Sequence, residues 1–241
     1  MRNPIIVALD VPKANEALEL AEELGPFVGA FKIGKQLFVS EGPDVVRKLK
    51  GKGAQIFLDL KFHDIPNTVA KAVQSAIDMG VDMLTVHTAG GSEMLVAAEN
   101  ASNEKAKILG IDSPLILGVT VLTSMDDANL EELGIQEGTQ AQVVRLAKLA
   151  ASSGLRGLVC SPQEIKLLRE ELGDEIQLIT PGIRAVSNPA DDQKRTMSPA
   201  EAIKFGASGL VIGRPITLAA NPRAAAIDIL NSIDPELVSF S

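Results

Sequence analysis

Eight short apolar runs, each followed by an amphipathic pattern, constrain this chain more than any other feature. They are Ile5 to Leu9, Ala30 to Gly34, Gln55 to Leu60, Met83 to Thr88, Leu115 to Val121, Gly157 to Cys160, Gln177 to Thr180 and Gly209 to Ile212. Short, rich in β-branched residues and without regular polar alternation, they read as strands buried on both faces of a parallel sheet. Between them the spacing becomes helical. Ala14, Ala17, Leu18, Ala21 and Leu24 keep to one helix face, as do Val69, Ala72, Val73, Ala76 and Ile77, and then Val143, Leu146, Ala147 and Ala150. Glycines at 25, 80, 154, 173 and 206 follow such patterns, where a left-handed residue can end a helix.

Eight strand-plus-helix units in 241 residues fit a (β/α)8 barrel, for which ~250 residues is typical. No Pro/Gly/Ser-rich linker or change of composition divides the chain, so residues 1–241 are expected to form one α/β domain. A doubly wound open sheet uses the same alternation, and periodicity alone does not separate the two. In a barrel the chemistry belongs at the C-terminal ends of the strands.

Composition narrows the partners. The 23 Lys and Arg against 31 Asp and Glu give a formal charge of -8, the reverse of what binding a phosphate backbone requires, so no nucleic-acid partner is expected. With no Trp, no Tyr and seven Phe, there is little with which to stack bases or build a membrane aromatic belt. The longest stretch without a charge is Ser113 to Met125, far short of the ~20 residues that span a bilayer. The apolar run after Met1 is too short for a signal sequence. A single cysteine, Cys160, cannot form an internal disulfide, and two His with one Cys make a poor zinc set. The expectation is a soluble cytoplasmic protein in a reducing compartment.

Charges stand where apolar strands should end. Asp10 closes the first run, Lys32 lies inside the second, and the third reads Phe57-Leu58-Asp59-Leu60-Lys61. Alternation along a strand puts Phe57, Asp59 and Lys61 on one side and Leu58 and Leu60 on the other, so both charges should face the barrel axis. Buried charges must be paired, and here both signs are supplied, with Lys32 one strand away and Asp10 two. A purely structural ion-pair network is the competing interpretation of these four residues. The segment continues Phe62-His63-Asp64-Ile65-Pro66-Asn67-Thr68, where Pro66 disfavours helix at Ile65 and Asn67 is a candidate N-cap.

The run from Asp59 to Thr68 resembles the signature of the orotidine 5'-monophosphate decarboxylase family. The resemblance extends to Ala8-Leu9-Asp10, Phe31-Lys32-Ile33-Gly34, Val119 to Ser124, Thr180-Pro181-Gly182-Ile183-Arg184 and Gly213-Arg214-Pro215-Ile216, six motifs in order at expected strand ends. It implies a (β/α)8 barrel that converts orotidine 5'-phosphate to uridine 5'-phosphate and CO2 with no cofactor and no metal. It also implies a homodimer with active sites at the subunit interface.

Matched residue by residue, the resemblance makes Lys61 the proton donor and places Lys32, Asp59, Lys61 and Asp64 in an alternating array. Asp64 and Thr68 would reach in from the other subunit, and Asp10 with Lys32 would hold the ribose hydroxyls. Thr123 and Ser124 would contact the pyrimidine. Pro181, Arg184, Gln193, Gly213 and Arg214 would surround the phosphate, the segment from Pro181 to Pro199 closing over it. Glycine admits backbone donors close to a phosphate, and arginine offers two donors to it.

The remaining candidates read as structural. His87 is expected to be a hydrogen-bonded core histidine, His63 to shape the turn, and Cys160 to be a small buried hydrophobe. Residues 125–133 look like a short extra helix. Two other functions compete: an Mg2+-dependent phosphosugar lyase or decarboxylase of the same superfamily, and a catalytically silent phosphate-binding barrel, which would have no need of four strand-end charges.

Overall fold

A computed structural model describes residues 3–184 and 197–233. Its eight strands are β1 (Ile5–Ala8), β2 (Ala30–Gly34), β3 (Ile56–Phe62), β4 (Met83–His87), β5 (Leu115–Val119), β6 (Gly157–Val159), β7 (Gln177–Thr180) and β8 (Gly209–Ile212). All neighbouring pairs are parallel and the order is sequential, with β8 returning to β1 through Ile5 opposite Leu210. The sheet is therefore a closed barrel rather than an open doubly wound sheet.

Alternation along each strand sorts the side chains into two apolar cores. Ile6, Ala8, Ala30, Phe57, Met83, Leu117, Ile179 and Val211 fill the barrel interior. Ile5, Val7, Phe31, Ile33, Ile56, Leu58, Leu84 and Ile116 face outward into a larger core shared with the helices. The helix faces read from the sequence contribute Ala17 and Ala21 of α1 (Ala14–Leu24), Val69 and Val73 of α4 (Pro66–Asp78), and Val143 and Ala147 of α7 (Gly138–Ser152).

The connections are richer than one helix each. Two helices, α2 (Lys35–Glu41) and α3 (Pro43–Gly51), join β2 to β3. The short helix expected near residue 130 is α6 (Asp127–Glu132), closed at its N-terminus by reciprocal bonds between Asp126 and Asn129. The remaining helices are α5 (Gly91–Leu109), α8 (Ile165–Leu172), α9 (Pro199–Lys204), α10 (Arg214–Thr217) and α11 (Pro222–Ser232). Among the described residues no helix is long and apolar enough to cross a membrane.

Two local expectations need correction. The N-cap of α4 is Ile65, not Asn67: Pro66 takes the first helical position, where its missing N–H costs nothing, and Asn67 lies inside the first turn. Gly25 is not left-handed, because the chain runs from α1 straight into a 3-10 turn over Gly25–Phe27. The glycines at 80, 154, 173 and 206 do have positive φ.

Candidate active site

Strand register brings the four strand-end charges together. Ala8 lies opposite Lys32, Lys32 opposite Phe57, and Gly34 opposite Asp59, so the ends of β1, β2 and β3 step up side by side. Lys32 Nζ stands 3.0 Å from Asp10 Oδ1 and 3.9 Å from Asp59 Oδ2, and Lys61 Nζ donates to Asp59 Oδ1 at 2.7 Å. The result is a continuous alternating row: Asp10, Lys32, Asp59, Lys61. The side chains of Lys32, Asp59 and Lys61 keep 11%, 14% and 22% of their exposure, too little for full hydration, so opposite neighbours must compensate for the lost water.

The route by which Lys61 reaches this row differs from simple alternation. Leu58 pairs with Leu84 but Phe62 pairs with Val86, so four steps along β3 match two along β4 and the ladder is interrupted between them. Within the interruption Lys61 has a φ of 56°, the one positive value at a non-glycine among the described residues. Its backbone N–H donates to Thr85 Oγ1 at 2.9 Å, and that hydroxyl donates to Asp59 Oδ1 at 3.0 Å.

Gly34 has a related part. A Cβ there would lie 3.0 Å from Lys32 Nζ and 3.3 Å from Asp10 Oδ1, so its bare backbone leaves the space through which this ion pair forms. Neither Gly34 nor Thr85 was singled out as a site residue from sequence. The available signal was position: each occupies an inward step of a strand beside the charged row.

The row borders a cavity of about 310 Å³ at the C-terminal ends of the strands. Ala8, Phe57 and Val211 of the interior core reach it from below. Thr123, Pro181, Arg184, Gly213 and Arg214 complete its rim together with Asp10, Lys32, Asp59 and Lys61. Two chain segments meet beside Arg184, where Ile183 bridges Met197 and the Arg184 N–H donates to the Met197 carbonyl at 3.0 Å.

Other expected site residues lie elsewhere. Ser124 is exposed and is not part of the cavity wall. Asp64 and Thr68 are also exposed and outside it, Asp64 Oδ1 accepting the Ile65 N–H at 2.7 Å. Gln193 lies outside the described residues.

Cys160 borders the cavity, but burial pushes its thiol up to about 12, so it stays protonated and unreactive. His87 packs against His63 with ring centroids 5.5 Å apart. Burial first, then the nearby His63, Lys61 and Lys35, hold His87 below the ordinary histidine range and keep it neutral. Among the described residues no group of three or more His, Cys, Asp or Glu is placed to hold a metal ion.

The chain is similar to known proteins over nearly its whole length. The model for "Orotidine 5'-phosphate decarboxylase / HUMPS family" matches residues 3–229, a span that includes every strand-end motif. The chain belongs to this family. Within the family it is similar to an orotidine 5'-phosphate decarboxylase of Moorella thermoacetica, 49% identical over 234 residues that cover 97% of this chain and 93% of the relative. It is 50% identical over 229 residues to one from Idiomarina loihiensis, covering 95% and 97%. The crystal structure of a family member, orotidine 5'-phosphate decarboxylase from Lactobacillus acidophilus, superimposes with a TM-score of 0.86 at 40% identity, covering 96% of this chain and 99% of the other.

Proposed function

We propose that this chain decarboxylates orotidine 5'-phosphate to uridine 5'-phosphate, the last step of de novo UMP synthesis, without a metal or cofactor. The observation that carries this reading is the alternating row of Asp10, Lys32, Asp59 and Lys61 along a cavity whose rim also bears Arg184 and Arg214. The names of the relatives in the family agree with it.

The chemistry asks for such a row. When the bond from C6 to the carboxylate breaks, CO2 leaves and the electron pair stays on C6 in an orbital lying in the ring plane. The ring π-system cannot delocalise that pair, so stabilisation must come from fixed charge close by. The Lys61 ammonium held against C6 supplies it and then delivers a proton to C6, and solvent returns the proton to the amine. Asp59 holds this ammonium, and Lys32 ties Asp59 to Asp10. Fixed in advance, the row needs little reorganisation as charge develops.

The other roles follow the same reading. Asp10 and Lys32 hold the ribose hydroxyls, and Thr123, with Ser124, contacts the pyrimidine. Pro181, Gly213, Arg184 and Arg214, with Gln193, bind the phosphate. Asp64 extends the array and Thr68 supports it from the partner of a cytoplasmic homodimer. Their exposure beside Ile65, itself 67% exposed, agrees with a surface that a second copy covers. The whole chain then acts as one catalytic domain.

A Mg2+-dependent phosphosugar enzyme needs carboxylates available to the metal. Here Asp10 is bonded to an ammonium, and Asp59 lies beside two. The deciding experiment follows the ultraviolet change of orotidine 5'-phosphate with excess EDTA. Unchanged turnover is expected; loss on EDTA with recovery on Mg2+ would contradict metal-free catalysis, and no turnover of orotidine 5'-phosphate even with Mg2+ would favour the phosphosugar alternative.

A further inference from the structure

We infer that Thr85 is a positioning residue for the Asp59–Lys61 pair. The inference rests on the reading of Lys61 as proton donor. Thr85 points inward from β4, two residues after Met83 of the interior core, and is fully buried. It is not part of the cavity wall, so it acts through its neighbours and not on the substrate.

Its hydroxyl resolves a problem that the interrupted β3–β4 ladder creates. A lysine with φ of 56° sits in a conformation that L residues avoid, and it has left the regular strand pairing that would take its backbone N–H. Thr85 Oγ1 accepts that N–H at 2.9 Å in place of a ladder carbonyl. With a lone pair so occupied, the hydroxyl proton is directed to Asp59 Oδ1, 3.0 Å away, and an ionised carboxylate can only accept. The same oxygen receives Lys61 Nζ at 2.7 Å. One buried hydroxyl thus ties the backbone of the proposed proton donor to the carboxylate that aims its ammonium.

A methyl group in place of this hydroxyl conserves volume but leaves the Lys61 N–H without its partner and frees Asp59 to turn. The row would keep its charges and lose its aim. Small displacements of a reacting group lower the chemical step far more than they lower binding.

The test compares wild type, Thr85→Val and Thr85→Ser on orotidine 5'-phosphate, with melting temperatures measured alongside. Thr85→Val is expected to lower kcat by about 10- to 100-fold while KM changes by less than about threefold, and Thr85→Ser to restore most of kcat. If Thr85→Val does not fold, Thr85→Ala makes the same comparison. Wild-type kcat in a folded hydroxyl-free variant overturns the proposal. So does a loss carried by KM, or a folded Thr85→Ser as slow as Thr85→Val. Absence of turnover in the wild type would instead overturn the reading of the site on which the proposal rests, and the proposal with it.

Discussion

Glu99 on α5 shows how a single charge couples this fold to pH. Burial raises its carboxyl above the ordinary value of 4.5, against the opposing pull of Arg156, whose Nε lies 3.4 Å away, and of Asn103. Its Oε2 is buried without a hydrogen-bond partner among the described residues. A raised folded-state value means that the folded protein holds the proton more tightly than the unfolded chain. The associated stability is complete below 4.5 and is lost as pH rises through the folded value. Glu99→Gln stays neutral throughout, so its melting temperature relative to wild type should climb as pH rises above 4.5. Melting curves across that range check it, and a difference independent of pH would contradict the assignment. Charges also decided what could be read from sequence at this scale. Asp10, Lys32, Asp59 and Lys61 stood out because apolar strands carry charge at a cost, whereas a threonine is ordinary in a strand and Thr85 gave no such signal.

Elements were legible where periodicity is strong. All eight strands lie within two residues of their expected ends, because strands buried on both faces leave short, β-branched apolar runs. The β3–β4 interruption was not legible: alternation put Asp59 and Lys61 on one side, and it has no symbol for a change of register. The start of α4 was misplaced because Asn67 and Pro66 both signal a helix N-terminus, and proline at the first helical position won. The end of β2 carries a sharper test. Gly34 has φ of -88° and ψ of 180°, which alanine adopts freely, so the cost of a Cβ is the contact with Lys32 Nζ and Asp10. A lysine end can move aside, so Gly34→Ala should melt close to wild type yet lose about 10- to 100-fold in kcat/KM as Lys32 leaves the row. Unchanged kcat/KM would show that the spacing does not matter.

Across the whole molecule, a net charge of -8 coexists with a site proposed to take an anionic nucleotide. The net charge argues against a polyanionic partner, while the local field at the cavity comes from Lys32, Lys61, Arg184 and Arg214, which all line it. Barrel closure accounts for that concentration, since residues 10, 32, 61, 184 and 214 are remote in sequence and neighbours only because parallel strands all end on one face. Asp64 and Thr68 stand outside the cavity of this chain, and under the proposed homodimer they serve the partner's. The proposed decarboxylation rests on fixed charge that ends in Lys61. Its most direct test is release of labelled CO2 from carboxyl-labelled orotidine 5'-phosphate by wild type and by folded Lys61→Ala, both in EDTA. Release by wild type should be rapid, and the variant should lose more than about 10,000-fold, because it lacks both the proton donor and its charge. Near-normal release by Lys61→Ala would contradict it.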